Sequence, residues 1–177
     1  MVYEASEDSF LLSEELKKYL KYKDRDIKIL DMGAGSGIQA ETCKQLGFKN
    51  ILTADIDKES IKLLKEKGFK AVCSDLFSSV NKKSKFDLII FNPPYLPEDK
   101  YDKEKDTTGG KKGCETIVKF LKQAKKHLEK NGEILLLFSS LSKPEIIIKK
   151  AKDLGYKITK LSSKKLFFEE LYVYESS

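Results

Sequence analysis

The tetrapeptide Asn92-Pro93-Pro94-Tyr95 follows directly on a short apolar run, Phe86 to Phe91. Two successive prolines fix φ and remove two backbone donors. What remains is a stiff segment of acceptors, the Asn92 side-chain oxygen and the Pro93 carbonyl. Such acceptors suit an NH2 group, which has two hydrogens to donate. Tyr95 adds a flat face on which a planar amide or base can stack. The nitrogen of an amide or aryl amine is a poor nucleophile because its lone pair is delocalised. Holding both hydrogens orients it and favours a more pyramidal, reactive geometry. The catalytic candidates are therefore Asn92, Pro93, Pro94 and Tyr95.

Three further features are candidates for holding a nucleoside-bearing ligand. The first is Asp31-x-Gly33-x-Gly35-x-Gly37, where glycines let the backbone turn tightly and come close to a ligand. Ile38 stands where a dinucleotide GxGxxG turn has its third glycine, which argues against a nicotinamide oxidoreductase. The second is Asp55, whose carboxylate can accept from both hydroxyls of a ribose. The third is Asp75-Leu76, an acceptor for an adenine amine with an apolar neighbour for the ring.

These residues need a scaffold, and the pattern around them supplies one. Ser6 is a candidate cap for a first helix with an apolar stripe of Phe10, Leu11, Leu16 and Leu20. Strands are predicted at Ile27 to Leu30, Ile51 to Ala54, Phe69 to Cys73, Phe86 to Phe91 and Ile134 to Phe138, with helices between them. Asp31, Asp55 and Asp75 fall at or near strand ends, and Asn92 follows one directly. A charged, glycine-containing loop is expected from Pro97 to Gly113, and a helix from Cys114 to Lys130 stopped by Asn131-Gly132. Ser142 caps a helix with Pro144 just inside it. Strands at Tyr156 to Leu161 and Leu166 to Tyr174 close the chain as an antiparallel hairpin. The sum is an α/β fold, a doubly wound and mostly parallel seven-stranded sheet with one reversed strand. In open sheets of this kind ligands bind at the carboxyl rim, where all four features gather.

A chain of 177 residues fits a single domain over 1–177, with 1–22 as an amino-terminal helical segment packing on the ligand site. The net charge of +6 and pI near 9.0 suggest an anionic partner only weakly, because Arg25 is the one arginine. Cys43, Cys73 and Cys114 are widely spaced and odd in number, which argues against disulfides and metal and for the cytoplasm. His127 lies in a lysine-rich stretch and is expected to be structural. No apolar run approaches the length of a membrane span.

Taken together these motifs resemble the class I methyltransferases, whose fold is Rossmann-like. More narrowly, the chain resembles the HemK-like glutamine methyltransferases of translation release factors, in their short archaeal and eukaryotic branch. Val2-Tyr3-Glu4-Ala5-Ser6-Glu7-Asp8-Ser9-Phe10-Leu11-Leu12 is similar to that branch's opening, VYEPxEDTFLL, with Ala5 for proline and Ser9 for threonine. Gly109-Gly110-Lys111-Lys112-Gly113 resembles the glycine segment after the catalytic loop. Leu166-Phe167-Phe168-Glu169-Glu170-Leu171-Tyr172-Val173 resembles the last strand. The resemblance implies S-adenosylmethionine as cofactor and S-adenosylhomocysteine as product. Ser9, Asp31, Gly33, Gly35, Gly37, Asp55, Asp75, Leu76 and Asn92 would bind the cofactor, and Asn92 with Tyr95 the acceptor amide. It implies N5-methylation of the glutamine in the Gly-Gly-Gln loop of a class 1 release factor, within translation termination. It also implies a small, zinc-binding activator subunit. The third strand is an edge in this fold, and an unpaired edge bearing Phe69, Ala71 and Val72 is the expected dock for the activator.

The alternative is a nucleic-acid enzyme methylating adenine N6 or guanine N2, because bases also present planar amines. Against it, the core uses the whole chain, leaving little for target recognition. Protein lysine is a further alternative, but an aliphatic amine has no planar face for Tyr95. A non-catalytic partner keeping this fold would be expected to lose the acids or the asparagine.

Overall fold

The computed structural model describes residues 6–94 and 113–177. Tyr95, the 109–112 glycine segment and all but the end of the 97–113 loop lie outside the described residues.

The elements follow an alternating order: α1 (Glu7–Leu20), β1 (Ile29–Met32), α2 (Ile38–Gln45), β2 (Ile51–Asp55), α3 (Lys58–Glu66), β3 (Lys70–Cys73), β4 (Phe86–Phe91), α4 (Glu115–Ala124), β5 (Leu128–Ser139), α5 (Pro144–Asp153), β6 (Ile158–Lys165) and β7 (Glu170–Ser176). The seven strands form one sheet in the order β3-β2-β1-β4-β5-β7-β6. The first five pair in parallel, and β7 runs antiparallel to both β5 and β6. The expected architecture is therefore observed. Strand order reverses beside β1, which opens a crevice between the ends of β1 and β4.

Period-two alternation divides the strand side chains between two cores. Leu30, Ile89, Phe91, Leu136 and Phe138 pack with Ile117, Phe120 and Ile147 of α4 and α5. Ile29, Leu88, Ile90, Leu135 and Leu137 pack with Leu12, Leu16, Cys43 and Leu64 of α1, α2 and α3. Central strands buried on both faces read as continuous apolar runs, as Phe86–Phe91 does.

Several boundaries and both predicted caps differ from the sequence reading; at α5, Lys143 and not Ser142 holds the cap position, because Ser142 closes the 3-10 turn after β5. Asp31 lies inside β1, paired with Thr53 and Ile90, because pairing on both sides carries the ladder on to Met32. The helix expected to reach Lys130 stops at Ala124, with one 3-10 turn at Lys125–His127. Leu128 instead pairs with Phe86, and the register shifts before Glu133 pairs with Leu88. The closing hairpin turns later than expected. Residues 162–165 belong to β6, and Leu166 donates to the Glu169 carbonyl across the turn. Ser6 occupies the cap position of α1, but its hydroxyl donates to Asp8 Oδ1 instead of accepting from the helix backbone.

Candidate active site

Register sets the site's centre. Met32 of β1 pairs with Phe91 of β4, so Gly33 and Asn92 leave adjacent strands side by side. A Cβ on Gly33 would lie 3.3 Å from the Phe91 ring and 3.9 Å from the Asn92 carbonyl. Gly33, Gly35 and Gly37 all take φ between 51° and 87°, which glycine alone adopts without cost. The glycine turn thus keeps backbone close to the Asn92 segment with no side chain in the way.

Asn92 is held from the amino terminus of α1. Its Nδ2 donates to Asp8 Oδ2 at 3.2 Å and to Ser9 Oγ at 3.4 Å. A carboxylate only accepts, so Asp8 fixes which end of the amide faces it. Asp8 is itself fixed: its Oδ1 accepts from Ser9 N at 2.6 Å and Ser6 Oγ at 2.7 Å, and the residue is 2% exposed. Asn92 Oδ1, the other end of the amide, is buried and has no hydrogen-bond partner among the described residues. Pro93, next along the chain, is buried and Pro94 half-buried.

A polar seam attaches α1 to α2. Gln39 Nε2 donates to the Ser9 carbonyl at 2.9 Å, and Ser13 Oγ donates to Gln39 Oε1 at 3.0 Å. The amino-terminal segment therefore packs on the glycine-turn helix, and its first turn reaches Asn92.

The two central acids lie close enough to interact. Asp31 is 2% exposed and accepts from Ala40 N at 3.0 Å. Burial lifts its carboxyl to about 7, the Ala40 N–H opposes that, and the Asp55 charge adds to it. Asp55 accepts from Gly35 N at 2.7 Å and from Asp57 N at 2.8 Å. Burial raises its carboxyl too, against the pull of those backbone donors. The donors fix its rotamer and leave each oxygen a second lone pair for a hydroxyl. Asp75 stands apart. Its Oδ2 pairs with Lys119 of α4 at 2.8 Å, at the outer surface. Leu76 is buried with φ of 49°, a left-handed conformation that costs a non-glycine residue about 1 kcal/mol. Ser74 holds that turn, donating to the Leu76 carbonyl at 2.6 Å and accepting from Ser79 N.

Asp8 and Gln39 hold the Asn92 segment and α1 in place, and Ile56 lies beside Asp55; the sequence reading singled out none of the three for the site. Asp8 had a visible signal, since it stands at helical spacing on the stripe of Leu12, Leu16 and Leu20 where an acid is out of place. Ile56 follows Asp55 and is 68% exposed, an apolar platform at the rim. His127 is structural, as expected: it stacks on Phe77 with ring centres 4.6 Å apart, and its Nδ1 lies 3.0 Å from the Ser84 carbonyl. Among the described residues there is no cluster able to hold a metal ion, and no helix is long and apolar enough to cross a membrane.

Against this geometry the likenesses to other proteins gain meaning. Residues 7–160 match the methyltransferase small domain family. A Methanocaldococcus jannaschii protein with the provisional name of protein N5-glutamine methyltransferase is 38% identical over 97% of this chain and 89% of its own length. Mouse methyltransferase HEMK2 is 30% identical over 87% of this chain and 79% of its own. A Koribacter versatilis release factor glutamine methyltransferase is 26% identical over 68% of this chain, which spans half of that protein. The Mtq2-Trm112 complex of E. cuniculi, described as methylating the termination factor eRF1, has a chain that superposes with a TM-score of 0.82. That match covers 99% of this chain and 97% of the other at 24% identity, a likeness of fold.

Proposed function

Because the chain belongs to the methyltransferase small domain family, we propose that it transfers a methyl group from S-adenosylmethionine to a glutamine side-chain nitrogen, N5, of a class 1 translation release factor. The observation that carries this reading is Asn92 Oδ1, a buried acceptor with no donor among the described residues, on an amide that Asp8 holds in one orientation. Leaving such an acceptor unmet costs about 1–3 kcal/mol, which an NH2 group held there would offset.

The residues present fit the cofactor. The glycine turn offers close backbone approach, Asp31 and Asp55 offer acceptors for an ammonium and for ribose hydroxyls, and Ile56 offers a face for a flat ring. Gly33, Gly35 and Gly37 would line its methionine part and Ser9 its amino-terminal side. Leu76 would meet the base, and Asp75 would do so on exchanging its Lys119 partner for the base amine. When bound, S-adenosylmethionine supplies a methyl group already activated on a sulfonium, so no strong base is needed beforehand. The chain's own work is orientation. Asn92 Oδ1 and the stiff Pro93-Pro94 backbone grip the hydrogens of a planar NH2, with Tyr95 assigned to its face, which directs the nitrogen lone pair. Asp8 acts through Asn92 as a positioning residue.

The names of the archaeal and Koribacter relatives support glutamine as acceptor, and a release-factor acceptor fits an enzyme that works in the cytoplasm. The Mtq2-Trm112 complex supports a small partner subunit, which we assign to the unpaired edge of β3 and to the zinc-binding kind. The test is incubation with isotopically labelled cofactor and a release factor, then mass mapping of the modified atom. The label is expected on a glutamine N5; label on a base amine of added RNA, or on lysine, would overturn the acceptor. Asn92→Ala should abolish transfer and Asp8→Asn lower kcat by about 10–100-fold, each with cofactor affinity nearly unchanged. An amide at position 8 both donates and accepts, so it no longer dictates which way Asn92 points.

A further inference from the structure

The β6–β7 turn carries an aromatic pair that the site described above does not use. Phe167 is 92% exposed and Phe168 84%, with ring centres 4.6 Å apart in edge-to-face contact. Their neighbours in sequence, Leu166 and Glu169, close the turn, so both rings project from its tip. Exposed residues of this size, placed side by side, mark contact surfaces.

Topology puts the turn at the rim that carries Asn92. Ser139, at the carboxyl end of β5, pairs with Leu171, and Glu170 N donates to Ser140 Oγ at 3.0 Å. β5 is parallel to β4, so both strands end on the same side of the sheet as Asn92. The turn lies two to three strand spacings from β4 and up to five residues beyond the level of Asn92, about 20 Å in all. An extended peptide spans that distance in about six residues. Lys164 of β6 also pairs with Glu7 of α1, immediately before the Asp8 that grips Asn92. Leu141, in the 3-10 turn after β5, adds a further apolar side chain beside Ser140.

We infer that Phe167 and Phe168 form a docking surface for the body of the protein acceptor, engaging its residues a few positions from the methylated glutamine. This rests on the reading that the acceptor is a protein glutamine. A glutamine seated against Asn92 has its flanking chain at this rim, on the same side of the sheet as the two rings. The charges around the pair favour protein over RNA. Glu169 and Glu170 follow the rings directly, exposed Lys165 precedes them, and the Lys164 ammonium is engaged by Glu7. Carboxylates beside the rings repel phosphate, whereas an aromatic centre with a mixed-charge rim is the anatomy of a protein interface.

The test compares the full chain with Phe167→Ala/Phe168→Ala, each with a Trm112-type partner subunit added, on two acceptors, an intact release factor and a short peptide holding only its Gly-Gly-Gln loop. Removal of two exposed rings should leave the melting temperature and cofactor affinity unchanged, which both act as folding controls. The expected result is a loss of about tenfold or more in kcat/KM on the intact protein, seen mainly in KM, with peptide turnover unchanged. Equal turnover of the intact protein by both forms would overturn the inference and leave the acceptor reading standing. Equal loss on both acceptors would also overturn it, as a defect in the site itself. If the wild-type chain methylates neither acceptor at glutamine, the acceptor reading falls and this inference with it. Weaker binding of a labelled ribosomal RNA fragment by the variant, with protein kinetics unchanged, would assign the pair to RNA. A wild-type dimer that the variant converts to monomer would assign it to a second copy.

Discussion

Asp31 shows how a single buried group links the site to pH. Its carboxyl is lifted from 3.8 to about 7, chiefly by burial, with Asp55 adding to it. Between those values the folded protein holds a proton that the unfolded chain has released. The group's contribution to stability is therefore fully present below about pH 4 and is lost as pH rises through 7. Asp31→Asn does not titrate, keeps an oxygen for the Ala40 N–H, and should gain on the natural chain as pH rises. The difference should grow by roughly 2–4 kcal/mol from pH 4 to pH 8, since a tenfold change in proton affinity is worth about 1.4 kcal/mol. Urea unfolding at a series of pH values measures it. A difference that stays flat would mean that Asp31 is already ionised in the folded protein and that burial is not the dominant influence.

Elements obey local signals until a partner outweighs them. The stretch Lys125 to Lys130 has helix-forming residues and a glycine stop, so the sequence reads as helix to Lys130. Pairing of Leu128 with Phe86 draws that stretch into β5, and Gly132 marks the bulge where register shifts. A Cβ there would lie 2.7 Å from the Phe86 carbonyl and 2.9 Å from Glu129 N, both backbone atoms that cannot swing aside. Gly132→Ala should destabilise by about 2–3 kcal/mol in equilibrium unfolding. Under the helix-stop reading the same change would cost little, so the size of the effect separates the two. The glycine turn, the acids near strand ends and the Asn-Pro-Pro motif were legible because each depends on its own few residues and the strand before it. Asp8 was visible only as an acid out of place on an apolar stripe; its grip on Asn92 was not legible, because it joins residues 84 positions apart. Asp75 was legible as a rim acid, but its ion pair with Lys119 depends on how α4 packs.

At the scale of the whole molecule, the sheet has two unequal edges. β6 exposes Lys160, Lys164 and Lys165, which discourage a further strand. β3 is four residues long, with Ala71 and Val72 half-buried and only Lys70 charged. Its inner side pairs with β2, and no strand among the described residues pairs with its outer side. An edge so lightly guarded is where an added strand would find free backbone groups with least repulsion, which is why the proposed activator is placed there. A partner that binds only the folded chain stabilises it by mass action, about 2.7 kcal/mol at a hundredfold excess over Kd. For a domain of this size that is roughly 5–10 °C in melting temperature. Hydrogen exchange should show new protection at Lys70–Cys73, while the β6 amides exchange as before. Protection on β6 instead would move the partner to the other edge, and no shift in melting temperature with excess subunit would mean that the sheet is complete as it stands.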